Sequence, residues 1–173
     1  MVSKNAQNTV AVTANGAPMS LDDASFGYVA ALLSRLMAQL LKARNGPNGL
    51  LPGQYPIALE LLHRSGLTQA ELCRCVRVEQ GTMANTLRRM ERDAFIARSP
   101  CPNDGRQSVI RLTSKGLALT RTAMGNVEEI NRLALGAFDF ETQAELRRMM
   151  VSVVERVDAA LGLETSHLTR GGA

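Results

Sequence analysis

Between Glu79 and Asp93 the chain sets Gln80, Thr82, Asn85, Arg88 and Arg89 on one side of a helical repeat, opposite Met83, Leu87 and Met90 at i, i+4 and i+7. These polar types are the ones that read DNA. Gln and Asn pair with adenine edges, Thr touches a thymine methyl or a phosphate, and Arg forks onto guanine or phosphate. An ordinary solvated helix face would carry Glu and Lys pairs at i,i+4, which are scarce here. The charge distribution agrees: residues 64–111 hold nine Arg and five acids, a net of +4, while the rest of the chain balances eleven bases with eleven acids. The whole excess therefore falls in this segment. Arg outnumbers Lys by 17 to 3, and a planar guanidinium suits phosphate and guanine better than a point charge does. A polyanion partner follows, against the alternative of a merely solvated basic face.

Other chemistries are poorly served. Cys73, Cys75 and Cys101 are an odd number of thiols, expected to be reduced, and Cys73 and Cys75 point about 200° apart on a helix. His63 and His167 stand far apart in sequence, so no zinc site and no other metal or cofactor is expected. With no Gly-rich phosphate loop and no His placed beside a Ser or Cys nucleophile, the chain does not read as an enzyme. The longest apolar stretch, Tyr28 to Leu41, is interrupted by Ser34, Arg35 and Gln39, short of the roughly 18 residues a membrane span needs. The first twenty residues lack a charged segment leading into an apolar one, so they read as a tail rather than a secretory signal, and a cytoplasmic location is expected.

The polar helix needs elements to hold it. At 173 residues, with 45% hydrophobic and 21% charged, the chain suits one compact unit. An apolar stripe behind Asp22 and Asp23 gives helix one, ending near Arg44; a breaker cluster from Asn45 to Gly49 follows, and Pro52 is expected to open a short helix two that stops at Ser65 and Gly66. Thr68 with Glu71 three residues later is a capping box, opening a helix to about Val76. A tight turn then leads into the polar helix. Phe95 to Arg98 and Gln107 to Leu112 read as a two-stranded β-hairpin around the turn-rich segment Pro100–Gly105. Thr113 caps a long helix, and Asp139 or Glu141 starts another. The fold class is thus mainly α with a small β-hairpin wing: a winged helix-turn-helix whose N- and C-terminal helices form a dimerisation region, against the alternative of an intramolecular bundle. The expected organisation is a disordered tail over 1–20, helix one over 21–50, the DNA-binding domain over 51–112, C-terminal dimerisation helices over 113–163 and a second disordered tail over 164–173.

Four elements occur together in residues 51–121: "LTQAEL", "VEQGTM…LRRMERD", "NDGR" and "LTSKG". In that order they resemble the core of the MarR family of bacterial transcription regulators. The resemblance implies a homodimeric, sequence-specific repressor bound to a pseudo-palindromic operator in double-stranded DNA. It implies that Arg106 enters the minor groove from the wing tip, oriented by Asp104, with Arg98 and Arg111 on phosphates; a narrow A·T-rich minor groove favours Arg on electrostatic grounds. Where many members carry Arg in the middle of the recognition helix this chain has Asn85, which shifts the expected base preference toward adenine.

The resemblance further implies a small aromatic or heteroaromatic acid as effector, at a region where this chain has Arg35, Gln54, Tyr55 and His63. Arg35 could equally be solvated, and His63 could be a cap or surface residue. Release would follow from wedging the recognition helices away from the roughly 34 Å spacing of successive major grooves. The peroxide-sensing branch keeps its reactive Cys in the first helix, where this chain has none; Cys73 reads as packing and Cys101 as a weak sensor candidate. The competing reading is a winged-helix module whose basic face docks on an acidic protein, a role that favours exposed aromatics, which are few here.

Overall fold

A computed structural model describes residues 20–64, 66–101 and 104–163, with the side chains of 101 and 104–107 outside the description. The expected tails therefore lie almost wholly outside the described residues. The chain divides into two units, Met1–Gln39 and Leu40–Ala173.

In the first unit, Ser20 caps a 3-10 turn at Leu21–Asp23, its side chain accepting from the Asp22 N–H at 3.2 Å. Helix α1 (Phe26–Asn45) begins here. Phe26, Val29, Leu33 and Leu36 are exposed along it, Phe26 by 69%.

The second unit holds α2 (Tyr55–His63), β1 (Leu67–Thr68), α3 (Gln69–Val76), α4 (Gln80–Arg92), β2 (Ile96–Cys101), β3 (Asp104–Leu112), α5 (Ser114–Leu135) and α6 (Phe140–Ala160). One apolar core joins α2 to α5 and the sheet: Leu50, Ile57 and Leu61 before and on α2, Leu72 on α3, Met83, Leu87 and Met90 on α4, Phe95, Ile96 and Ile110 from the sheet, and Ala123 on α5. Each helix after α2 starts where a side chain satisfies backbone donors left free by the first turn, or on an extended residue that permits the turn. Thr68 accepts from the Glu71 N–H while the Glu71 carboxylate accepts from the Thr68 N–H, completing the capping box. The Thr68 N–H and the Thr68 hydroxyl, each donating to the Glu71 carboxylate at 2.7 Å, hold that carboxyl below the usual carboxylate range. Thr113 and Asp139 cap α5 and α6 by the N-cap bond alone, their side chains accepting from the Gly116 and Thr142 N–H.

Three local expectations need correction. Helix α2 opens at Tyr55 and not at Pro52, because residues 51–54 close on themselves: the Leu51 N–H donates to Gln54 Oε1 at 2.9 Å and the Gln54 N–H to the Leu51 carbonyl at 2.8 Å. Pro56 is the proline in the first helical turn. The expected β2–β3 hairpin is present, but a further strand joins it to make a three-stranded antiparallel sheet in the order β1-β3-β2, with Leu67 opposite Ile110 and Ile96 opposite Leu112. Its third strand, β1, has two residues, too few to show alternation. Both long strands also outrun their expected limits, β2 reaching Cys101 and β3 starting at Asp104.

The "LTSKG" run has a packing cause. Helix α5 begins so close to the sheet that a Cβ built on Gly116 would lie 1.9 Å from the Phe95 carbonyl oxygen. Only glycine lets the two backbones approach this far. The Thr113 hydroxyl, which caps this helix, also donates to the Ala94 carbonyl at 2.7 Å, tying the start of α5 to the end of α4.

Candidate nucleic-acid interface

Helix α4 is held from beneath. Met83, Leu87 and Met90 are completely buried, and the opposite side exposes Gln80, Thr82, Asn85, Arg88 and Arg89. The spacing read from the sequence therefore separates the faces as expected. The turn that delivers α4 runs through Arg77, whose backbone is left-handed at φ +58, and the Val78 N–H donates to the Cys73 carbonyl at 3.3 Å. A non-glycine residue in that conformation is uncommon and needs anchoring. Arg77 is anchored: its Nε and Nη2 donate to the Asp158 carboxylate at 2.9–3.2 Å, and its Nη1 donates to the Arg74 carbonyl. Asp158 lies on α6 and is 5% exposed, so the turn before the recognition helix is fastened to α6 by a part-buried ion pair. The guanidinium holds the Asp158 carboxyl below its ordinary range.

The exposed face is internally ordered. Arg88 Nη1 donates to Asn85 Oδ1 at 2.9 Å, pairing this amide with a cation on the exposed face. Arg98 on β2 donates to the Glu91 carboxylate at 3.1 Å, and Arg111 on β3 donates to Ser99 Oγ at 2.9 Å. Arg92 pairs with Asp93 at the helix end, pulling the Asp93 carboxyl down. At the other end, Gln69 Nε2 donates to Gln80 Oε1 at 3.0 Å, with the Gln80 carbonyl oxygen at 3.4 Å. Gln69 was not among the residues singled out in the sequence. The only signal was its place next to the Thr68 cap, since helix-turn-helix geometry brings the starts of both helices together.

The wing-tip pair falls partly outside this description. Asp104 and Arg106 lie on the β3 backbone, but their side chains, with that of Cys101, are outside the described ones. The four residues assigned to an effector are distributed as follows. Arg35 is exposed on α1 in the first unit. In the second unit Gln54 is 3% exposed, with its carbonyl oxygen accepting from Leu51; Tyr55 is half-buried, its hydroxyl pKa raised by burial and by Glu128; His63 is exposed at the end of α2. Beside Gln54 is an open cleft of about 580 Å3, with Asn48, Leu51, Phe95 and Lys115 on its walls. Lys115 donates to the Asp93 carbonyl at 2.9 Å and sits 5.0 Å from the Phe95 ring centre. Burial raises the Cys73 thiol pKa, which disfavours a reactive thiolate. Among the described residues no cluster of three metal-ligating side chains occurs, and no helix is long and apolar enough to cross a membrane.

A buried-backed polar helix, delivered by a tight turn and followed by an antiparallel wing, defines a winged helix-turn-helix of the DNA-binding kind. Known proteins match the chain accordingly. The model of the MarR family matches residues 48–107. The HTH-type transcriptional repressor Rv2887 of Mycobacterium tuberculosis is 30% identical over 130 residues, covering 75% of this chain and 93% of that one. Among solved structures, the PcaV transcriptional regulator from Streptomyces coelicolor, in complex with its natural ligand, is similar with a TM-score of 0.70 at 24% identity, over 80% of this chain and 97% of its own. A mutant of MarR from E. coli, complexed with operator DNA, gives a TM-score of 0.68 at 20% identity, over 73% and 91%. The chain belongs to the MarR family. It is accordingly a DNA-binding transcription regulator of the repressor kind, in a family whose members are regulators and not enzymes.

Proposed function

We propose that this repressor works as a homodimer that places α4 of each copy in successive major grooves of a pseudo-palindromic operator in the cytoplasm. The observation that carries this is the division of α4 into a completely buried apolar side and an exposed side of Gln80, Thr82, Asn85, Arg88 and Arg89. The operator complex of the E. coli MarR mutant, similar in fold, supports the same use of the motif here. In this reading Gln80 and Asn85 meet base edges, Arg88 and Arg89 meet bases or phosphates, and Arg98 meets phosphate after exchanging Glu91 for it. Asp104 and Arg106 supply the wing contact in the minor groove.

The dimer is supported by what α6 leaves open. Met150, Val154, Val157 and Leu161 recur at intervals of four, three and four residues and are all exposed, the last by 66%. Such a stripe loses free energy in water and is satisfied by a second copy. Release by a small aromatic or heteroaromatic acid is the effector reading, supported by the ligand-bound PcaV complex. The basic face could otherwise dock on an acidic protein, but no observation on α4 favours this over DNA.

Fluorescence anisotropy tests the proposal. Full-length protein titrated against the DNA upstream of its own gene should bind at least about 10³-fold tighter than to a scrambled duplex at physiological salt. Binding that is equal on both and vanishes with salt would mean charge attraction without sequence reading. Arg106→Ala should weaken the specific complex at equal salt, and unchanged binding would remove the wing contact from the account. Aromatic acids added to the complex should lower its anisotropy; an acid that binds tightly and leaves the complex intact is not the releasing effector.

A further inference from the structure

The two helices of the motif touch through their first residues. Gln69 opens α3 and Gln80 opens α4, eleven positions later. The end of the Gln69 side chain that faces α4 lies within reach of two oxygens, Gln80 Oε1 at 3.0 Å and the Gln80 carbonyl at 3.4 Å. A carbonyl oxygen in that place would face two acceptors, so the group there is the Gln69 NH2. This fixes the second amide as well. Gln80 must turn Oε1 toward α3, which leaves its own Nε2 pointing away, and among the described residues that nitrogen donates to nothing. Gln80 is exposed, and Gln69 is half-buried behind it.

We infer that Gln69 is a specificity-determining partner of Gln80, setting its amide to read one adenine in each half-site. The inference rests on the operator-reading function proposed above. Adenine offers the N6 amino group as donor and N7 as acceptor in the major groove. Gln80 Oε1 has two lone pairs; one is filled by Gln69 and the other accepts from adenine N6, while Gln80 Nε2 donates to N7. The amide is held with its acceptor and donor in fixed order, so guanine, which presents acceptors at both places, is refused by its O6 facing Oε1. The second N–H of Gln69 Nε2 is left for a phosphate oxygen alongside. A Gln80 without this partner could swing Oε1 away from the base and donate Nε2 alone to N7 or O6 of guanine, so adenine would lose much of its advantage.

The inference makes Gln69 a positioning residue whose effect is confined to one base pair. The experiment is selection of binding sites from a random duplex library by the full-length wild type, Gln69→Ala, Gln80→Ala and the double variant, followed by titration of the selected site with each base pair replaced in turn. Wild type should select half-sites with an A·T pair at one symmetric position, replacement of which by G·C weakens binding about tenfold or more. Gln80→Ala should flatten the preference at that position alone. Gln69→Ala should reduce the A over G preference there several-fold, leave the other positions unchanged, and add nothing to Gln80→Ala in the double variant. Equal melting curves for all four proteins would exclude a folding effect, Gln80 being exposed and Gln69 half-buried. If half-sites are selected and Gln69→Ala leaves that preference intact, or weakens every position evenly, the inference is overturned while operator reading stands. If wild type selects no half-site, operator reading itself fails and the inference falls with it.

Discussion

Helices α4 and α6 both carry apolar residues at helical spacing, yet one is finished within the chain and the other is not. In α4, Met83, Leu87 and Met90 are completely buried. In α6 the sole buried residue is Asp158, and Met150, Val154 and Val157, with Leu161 just past the helix end, are exposed. A polar outer face backed by a closed core is a surface prepared for a polar ligand, and for α4 the composition of that face points to DNA. An open apolar face backed by little is a surface prepared for another protein. The Arg77–Asp158 pair joins the two, since it fixes the turn before α4 to a residue of α6. The pair thus sets a short, charged contact between α6 and the turn that delivers α4.

The sharpest break in this comparison is expected from Leu87→Ala. Removing a fully buried side chain should cost about 2–5 kcal/mol, read as a lower urea midpoint with an unchanged slope. Val154→Asp, on the open stripe of α6, should act on association instead, raising the dimer dissociation constant about tenfold or more in sedimentation experiments while the secondary structure by circular dichroism is kept. If Val154→Asp unfolds the chain at all concentrations, the stripe belongs to the internal core and the contrast is wrong.

Asp158→Asn probes the link between the helices. The folded carboxyl is held below its usual value, so the pair stabilises the protein above the ordinary carboxylate pKa of about 3.9 and loses that contribution as pH falls toward the depressed value. The variant should melt a few degrees lower at neutral pH, and the gap should close in the acid range. A gap that is constant down to pH 2 would mean the ion pair is not its source. The smallest stability effect belongs to the outer face of α4. Asn85→Ala should change stability by less than about 0.5 kcal/mol and yet weaken operator binding by about 1–3 kcal/mol, measured as anisotropy on the selected site.

What could be read in advance was local or periodic. The face of α4 shows in the spacing of Met83, Leu87 and Met90, and the starts of α3, α5 and α6 show in Thr68, Thr113 and Asp139, because a cap and its target lie within three residues. The start of α2 was misplaced because a side chain, Gln54, closes the turn that Pro52 was expected to end. Strand β1 was invisible: two residues acquire strand geometry only from pairing with β3, far along the chain. The same reason hides the polar contacts that complete the site. Gln69 meets Gln80 across eleven residues, with only its place beside the Thr68 cap to suggest it, and Arg77 meets Asp158 across 81 with no mark in the spacing of residue types.

The central claim, that the open face of α6 calls for a second copy while α4 is complete in one, is tested most directly by the mass of the protein in solution without DNA. Sedimentation equilibrium of the full chain in the micromolar range should give twice 18.7 kDa, with Val154→Asp shifted toward the single-chain value. A wild-type mass of 18.7 kDa at every concentration would contradict the account, leaving the apolar stripe without the partner that explains it.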